Sequence, residues 1–112
     1  VGNLFKDKNS KYYKASYEDL KNTVSFSIPM IEETLKLVPE VLNKKELLKR
    51  LSLEMFFPYA IDDMLERHGY DGYIRAYPKG AVLHIGAGNV FLGILDSLVM
   101  GLVTKNINIV NL

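Results

Sequence analysis

Asn89 stands directly behind Gly86-Ala87-Gly88, where one apolar run gives way to a second, longer one. Residues of these types in this order can handle negative charge. Two glycines around an alanine let a ligand approach the backbone, and the first turn of a following helix offers N–H groups to an anion or an oxyanion. Asn89 is well placed to N-cap that helix, and its amide has both a donor end and an acceptor end. The spacing is G-x-G followed by Gly93, so the dinucleotide fingerprint G-x-G-x-x-G is not met. His84, one residue inside the end of the first run, reads as a hydrogen-bonded core residue rather than a base. His68, beside Gly69, reads as a partner for a helix C-terminus. Two distant histidines, with carboxylates at no ligand spacing, make no metal site.

The elements that must position the turn follow from apolar periodicity. Ala81 to Ile85 predicts a short strand covered on both faces. From Val90 to Thr104, Leu92, Leu95, Leu98, Val99, Leu102 and Val103 recur at helical spacing. Ile107, Ile109 and Leu112 then alternate with Asn108, Val110 and Asn111 as in a strand. Strand, helix and strand make a βαβ unit, which requires parallel pairing and a right-handed crossover. The Gly86–Asn89 turn therefore falls at the carboxyl end of the first strand, the edge where open α/β sheets bind ligands. The apolar stretch from Ala81 to Val103 is long enough to suggest a membrane span. His84, Asn89, Asp96 and four glycines interrupt it, and a globular βαβ core accounts for them better.

Upstream, Val1 to Lys14 is polar and tyrosine-containing and reads as a loosely held lead-in. Ser16-Tyr17-Glu18-Asp19 resembles a capping box before a short helix reaching Val24. Ser27, with Pro29 close behind, starts a second helix with Ile31, Leu35 and Val38 as its apolar stripe, ended or kinked at Pro39. Asn43-Lys44-Lys45-Glu46 caps a third, with Leu47, Leu48, Leu51, Met55 and Phe56 facing inward until Pro58. Ile61 to His68 continues as a helix closed by Gly69. Tyr70-Asp71-Gly72 makes a turn, and Tyr73 to Tyr77 an edge strand available for pairing between subunits of a homo-oligomer.

The 112 residues suffice for one small domain, and 48% hydrophobic with 24% charged residues is ordinary for a globular chain. A net charge of +1, with acidic residues interleaved among the basic ones, gives no argument for nucleic acid. The chain has no cysteine, hence no disulfide, no zinc–thiolate site and no thiol nucleophile of its own. It shows no signal-peptide pattern, in keeping with a cytoplasmic protein. A two-stranded βαβ unit leaves apolar edges uncovered, so the chain reads as an excerpt of a larger protein.

The pattern P-x-G-x-V-x-H-I-x-A-G-N-V over residues 78–90 continues through Asp96-Ser97-Leu98 and Thr104-Lys105-Asn106-Ile107-Asn108-Ile109-Val110. It resembles the LuxC-type acyl-CoA reductases, relatives of the aldehyde dehydrogenases. Phe26 to Ile31, and Asp62-Asp63 to Arg75, are more loosely similar to the family's helical lead-in. The resemblance implies an α/β fold with a helical N-terminal segment over residues 1–69. Residues 70–112 would then open an aldehyde-dehydrogenase-like NAD(P)-binding domain with its first βαβ unit. It implies that Asn89 donates its amide to the oxyanion formed on the substrate carbonyl. It also implies that the nicotinamide half of the cofactor, NADP or NAD, lies against Ile85, Gly86, Ala87 and Gly88. For the glycines, close helix–strand packing is the competing explanation. Asn111 stands where the wider superfamily has a lysine that holds the adenosine ribose. It can hydrogen-bond a ribose hydroxyl but supplies no positive charge to a 2′-phosphate.

Two function classes follow. In the first, the full protein reduces a fatty acyl thioester, of coenzyme A or of a protein, to an aldehyde, through a cysteine outside these residues. This piece alone is inactive. In the second, the helices from Ser27 to His68 present a non-enzymatic interaction surface, and the βαβ unit is scaffold. A cysteine in a glycine-flanked loop downstream would separate the two.

Overall fold

The computed structural model describes residues 1–55, 57–87 and 91–111. It is a mixed α/β structure. Within the described residues a 3-10 turn (Gly2–Phe5) leads into helices α1 (Lys11–Thr23), α2 (Ile28–Val41) and α3 (Lys44–Met55). Strands β1 (Leu65–Glu66), β2 (Tyr73–Ile74) and β3 (Ala81–Ile85), helix α4 (Phe91–Val103) and strand β4 (Ile107–Asn111) follow.

Helix α1 begins earlier than Ser16. Ser10 is its N-cap, its Oγ accepting the amides of Tyr12 at 3.2 Å and Tyr13 at 3.4 Å. Ser16 lies inside a helix whose buried stripe runs through Tyr13 and Leu20, with Tyr17 and Val24 packed beside them. The supposed lead-in is therefore ordered structure. Gly2 sits so close to α2 that a Cβ there would come within 3.2 Å of Leu42 Cβ and 3.5 Å of Pro39 Cα.

Helix α2 starts at Ser27 as its spacing requires, and Ile31, Leu35 and Val38 are its fully buried residues. Pro39 does not end it. The missing amide removes one intrahelical bond close to the C-terminus, where few remain to be lost, and the helix runs on to Val41. Asn43 caps α3, its Oδ1 accepting the amides of Lys45 at 2.9 Å and Glu46 at 3.4 Å. Leu51 is buried, while Leu47, Leu48 and Met55 are half-buried. Phe56 lies outside the described residues.

The helix expected over Ile61 to His68 is absent. In its place β1 pairs antiparallel with β2, Leu65 opposite Ile74 and Glu66 opposite Tyr73. Gly69 at φ 79° and Gly72 at φ 135° supply the positive dihedrals that reverse the chain. A glycine in that region serves a helix C-cap and a hairpin equally, and eight residues are too few for periodicity to decide. Strand β2 is also shorter than Tyr73 to Tyr77, and its partner is β1 of the same chain.

The unit β3–α4–β4 follows the apolar pattern closely. The strands pair in parallel from Ala81 opposite Ile107 to Ile85 opposite Asn111. Helix α4 covers the face bearing Val82, His84 and Asn108. The opposite face is open: Leu83 is 57% exposed, Ile85 76%, Ile107 69% and Ile109 54%. The apolar run of β3 predicts cover on both faces, and the described residues supply one. The radius of gyration, 17.0 Å, exceeds the roughly 13 Å of a compact chain of this length, in line with extents of 55 × 26 × 20 Å.

Two ion pairs tie the helical part to the βαβ unit. Arg50 on α3 meets Asp96 on α4, and Lys105, just after α4, meets Asp62 while its Nζ also donates to the Ile61 carbonyl at 3.2 Å. No helix of the described residues is long and apolar enough to cross a membrane.

Candidate functional site

The carboxyl edge of β3 is built from Ile85, Gly86 and Ala87, and α4 begins at Phe91. Gly88 and Asn89 lie outside the described residues. The Gly86 N–H donates to the Asn111 carbonyl at 3.0 Å, extending the β3–β4 ladder by one rung. That amide is thus committed to the sheet. A Cβ on Gly86 would fall 1.6 Å from Ile94 Cδ1 and 2.2 Å from Cγ1, so any other residue here requires the Ile94 side chain to move. Ile85 and Asn111 are register partners and both are exposed, which places them side by side at the strand ends on the open sheet face.

Ala87 lies between two open grooves. One, of about 500 Å³, runs along β3 and α4 past Gly86, Gly93, Ile94 and Ser97. The other, of about 570 Å³, separates α4 from α1 and is lined by Leu20, Val24, Ala87, Phe91 and Ile94, with Ser16, Asp19 and Thr23 along the α1 side. The four expected positions that are described, Ile85, Gly86, Ala87 and Asn111, thus cluster at one edge.

His84 is buried and fully engaged. Its Nδ1 lies 2.8 Å from Ser97 Oγ and its Nε2 2.8 Å from Asn108 Oδ1. Asn108 Nδ2 donates to the Asn106 carbonyl at 2.7 Å, which leaves Oδ1 as the acceptor. This network assigns the ring proton to Nε2 and makes Ser97 the donor to Nδ1. One imidazole therefore joins β3, α4 and β4. Gly101 belongs to the same arrangement, since a Cβ there would fall 1.9 Å from Asn108 Oδ1 and 3.1 Å from His84 Nε2. The core role expected for His84 is the one found. His68, by contrast, ends no helix; it is exposed in the β1–β2 connection.

The remaining polar residues of the pattern hold the unit together. Helix α4 closes with the Asn106 N–H donating to Gly101 O and the Lys105 N–H to Leu102 O, both at 3.0 Å. This is a Schellman motif with Lys105, at φ 62°, in the place glycine usually takes. Asn106 Oδ1 accepts the Gly80 amide at 3.2 Å, pinning the start of β4 to the start of β3. Asp96 holds the Arg50 guanidinium above its ordinary pKa, chiefly through their hydrogen bond. Lys105, at the amino end of β4, stands at the far end of the strand from Asn111.

Sequence reasoning missed the partners of His84 and the wall that α1 gives the second groove. A signal existed for the first: Asn108 is a polar residue on the side of β4 that should face the helix. For the second there was none, because Leu20 and Val24 are distant in sequence from Phe91 and Ile94.

Comparison with known proteins adds the remaining finding. The model of the acyl-CoA reductase (LuxC) family matches residues 1–112. The chain is 28% identical over 107 residues to long-chain acyl-protein thioester reductases of Photorhabdus laumondii subsp. laumondii and Photobacterium phosphoreum. It is 27% identical over 107 residues to the protein of that name from Aliivibrio fischeri. Each match covers 95% of this chain and 22% of the relative, so the chain spans about a fifth of the length of these curated relatives.

Proposed function

The chain belongs to the acyl-CoA reductase (LuxC) family, and from that membership we propose that the whole protein reduces a fatty acyl thioester to an aldehyde with NADPH or NADH in the cytoplasm. The observation that carries this reading is the edge where β3 and β4 end together, with Ile85 beside Asn111 and with Gly86 and Ala87 following β3. The carboxyl edge of such a parallel pair is where an α/β sheet receives a ligand.

The residues fit a nicotinamide cofactor. Ile85, 76% exposed, offers an apolar shelf to a planar ring, and Ala87 extends it without a bulky side chain. Gly86 contributes shape alone, because its amide is held by Asn111. Gly88 is assigned to the cofactor from the family pattern alone, and the Asn111 amide suits a ribose hydroxyl. When bound, the cofactor supplies hydride to the acyl carbon. Asn89 donates its side-chain amide to the carbonyl oxygen as negative charge gathers there. The thiol that carries the acyl group comes from a part of the protein beyond these residues, since this sequence holds no cysteine. Residues 1–69 form the helical flank and residues 70–112 open the nucleotide-binding domain, with the β1–β2 hairpin as the joint between them.

The test is Asn89→Ala in the whole protein. Loss of one oxyanion donor lowers kcat by roughly 100- to 1,000-fold, while binding of the acyl thioester stays within a factor of two or so. Turnover equal to the unaltered protein removes the role given to Asn89.

A further inference from the structure

On the acyl-reductase reading above, we infer that the groove between α1 and the start of α4 holds the hydrocarbon tail of the substrate. Residues Leu20, Val24, Phe91 and Ile94 then set the chain-length preference. The groove, about 570 Å³, opens beside Ala87 and Phe91, the two described residues that bracket 88–90. Its lining thus adjoins, along the chain, the positions to which the reaction is assigned.

The chemistry of its walls selects the occupant. Leu20 and Val24 from α1 line the space together with Ala87, Phe91 and Ile94, all five are apolar, and Phe91 packs against the cluster that holds Leu20. The acidic group in the lining is Asp19, on the α1 rim, and no lysine, arginine or histidine among the described residues lines the space. A phosphate or a free carboxylate placed there would meet a carboxylate and no cation. A neutral hydrocarbon chain pays no such penalty and gains from every methylene removed from water. The neighbouring groove along β3 shares Ala87 and Ile94 but is lined by His84 and Ser97 as well as by apolar residues. The helical segment therefore has a task of its own: α1 is one wall of the specificity pocket.

Val24 is the residue to test. It is the C-cap of α1, half-buried, in extended backbone that accepts a large side chain. In the whole protein, Val24→Trp fills the groove and Val24→Ala widens it. The readout is kcat/KM for butanoyl-, octanoyl- and tetradecanoyl-coenzyme A. Each methylene excluded from an apolar site costs about fourfold, so displacing three of them lowers tetradecanoyl turnover roughly 60-fold. Butanoyl turnover is retained, and Val24→Ala leaves or extends the preference for long chains. An equal loss for all three substrates overturns the assignment. So does an unchanged profile with raised thermal stability, the mark of a packing gap simply filled.

A second measurement separates this assignment from the reaction. Calorimetric titration with the non-reducible S-tetradecyl thioether of coenzyme A needs no turnover. If the unaltered protein binds it, Val24→Trp weakens it, and no acyl thioester is reduced, the groove stands and the reductase reading falls. If acyl thioesters are reduced but Val24→Trp leaves both binding and profile unchanged, the groove falls and the reductase reading stands.

Discussion

Gly101→Ala tests whether the imidazole arrangement inside the βαβ unit governs its stability. Helix propensity alone argues for the substitution, since alanine is favoured over glycine inside a helix by about 1 kcal/mol. The geometry argues the other way. The new methyl would sit 1.9 Å from Asn108 Oδ1 and 3.1 Å from His84 Nε2. Asn108 must then swing away, although its amide is also held by the Asn106 carbonyl. The Nε2–H of His84, buried, loses its acceptor, at a cost of about 1–3 kcal/mol. Forcing a methyl into an occupied interior adds about 1–3 kcal/mol. Set against the gain in propensity, the net loss is roughly 3 kcal/mol. Urea unfolding gives the value, and Asn108→Ala supplies the control. With the obstructing oxygen gone, the double variant should be more stable than the sum of the two single losses by about 0.5–3 kcal/mol. A stability gain near 1 kcal/mol in Gly101→Ala, or strict additivity with Asn108→Ala, would refute the reasoning.

Five further outcomes are expected. Ser10→Ala removes the cap of α1 and lowers stability by about 1 kcal/mol in thermal unfolding, whereas Ser16→Ala, inside the helix, costs no cap. Asp96→Asn breaks the pair with Arg50, whose side chains are 39% and 40% exposed, and costs at most about 1 kcal/mol, less at high salt. Because Asp96 raises the Arg50 pKa in the folded state, the arginine's side of that stability is complete below the ordinary arginine range and is lost only as pH rises beyond it, so a denaturation series from pH 6 to 9 shows no Arg50 step. Compared with Lys105→Ala, which loses the same contacts to Asp62 and Ile61, Lys105→Gly relieves the left-handed backbone and is more stable by about 0.5 kcal/mol. Asn111→Arg in the whole protein shifts preference toward NADPH by about tenfold in the ratio of affinities, as a charged hydrogen bond to the 2′-phosphate would; an unchanged ratio takes Asn111 away from the ribose.

What could be read from the sequence depended on whether the deciding contacts were local. The β3–α4–β4 unit was legible because strand alternation, a glycine stop and helical spacing follow one another without interruption from Ala81 to Asn111. Helix α2 was legible for the same reason, since Ile31, Leu35 and Val38 repeat at helical spacing. The start of α1 was obscured by Tyr13, an aromatic residue whose ring can be buried while its hydroxyl stays wet. The β1–β2 hairpin was not legible, since Leu65 and Ile74 find each other through two glycine-permitted reversals rather than through any period in the residues between. Of the site, the edge itself was visible in Gly86 and its neighbours. The sequence left open why Gly86 is glycine, and Ile94 gives the packing answer for that one position. Which partners His84 would take was also out of reach, because Ser97 and Asn108 belong to different elements.

The uncovered face of the β3–β4 pair bears on how the protein is made. A nascent chain emerges at roughly 5–20 residues per second, and amino-terminal units fold ahead of the segments that will pack on them. During that interval Leu83, Ile85, Ile107 and Ile109 form an apolar stripe on a sheet with open edges. Such a stripe pairs as readily with a neighbouring nascent chain as with its own proper cover. Slower synthesis at low temperature, or added chaperone, should therefore raise the yield of dispersed protein, and replacing Ile107 by lysine should do the same for this 112-residue piece on its own.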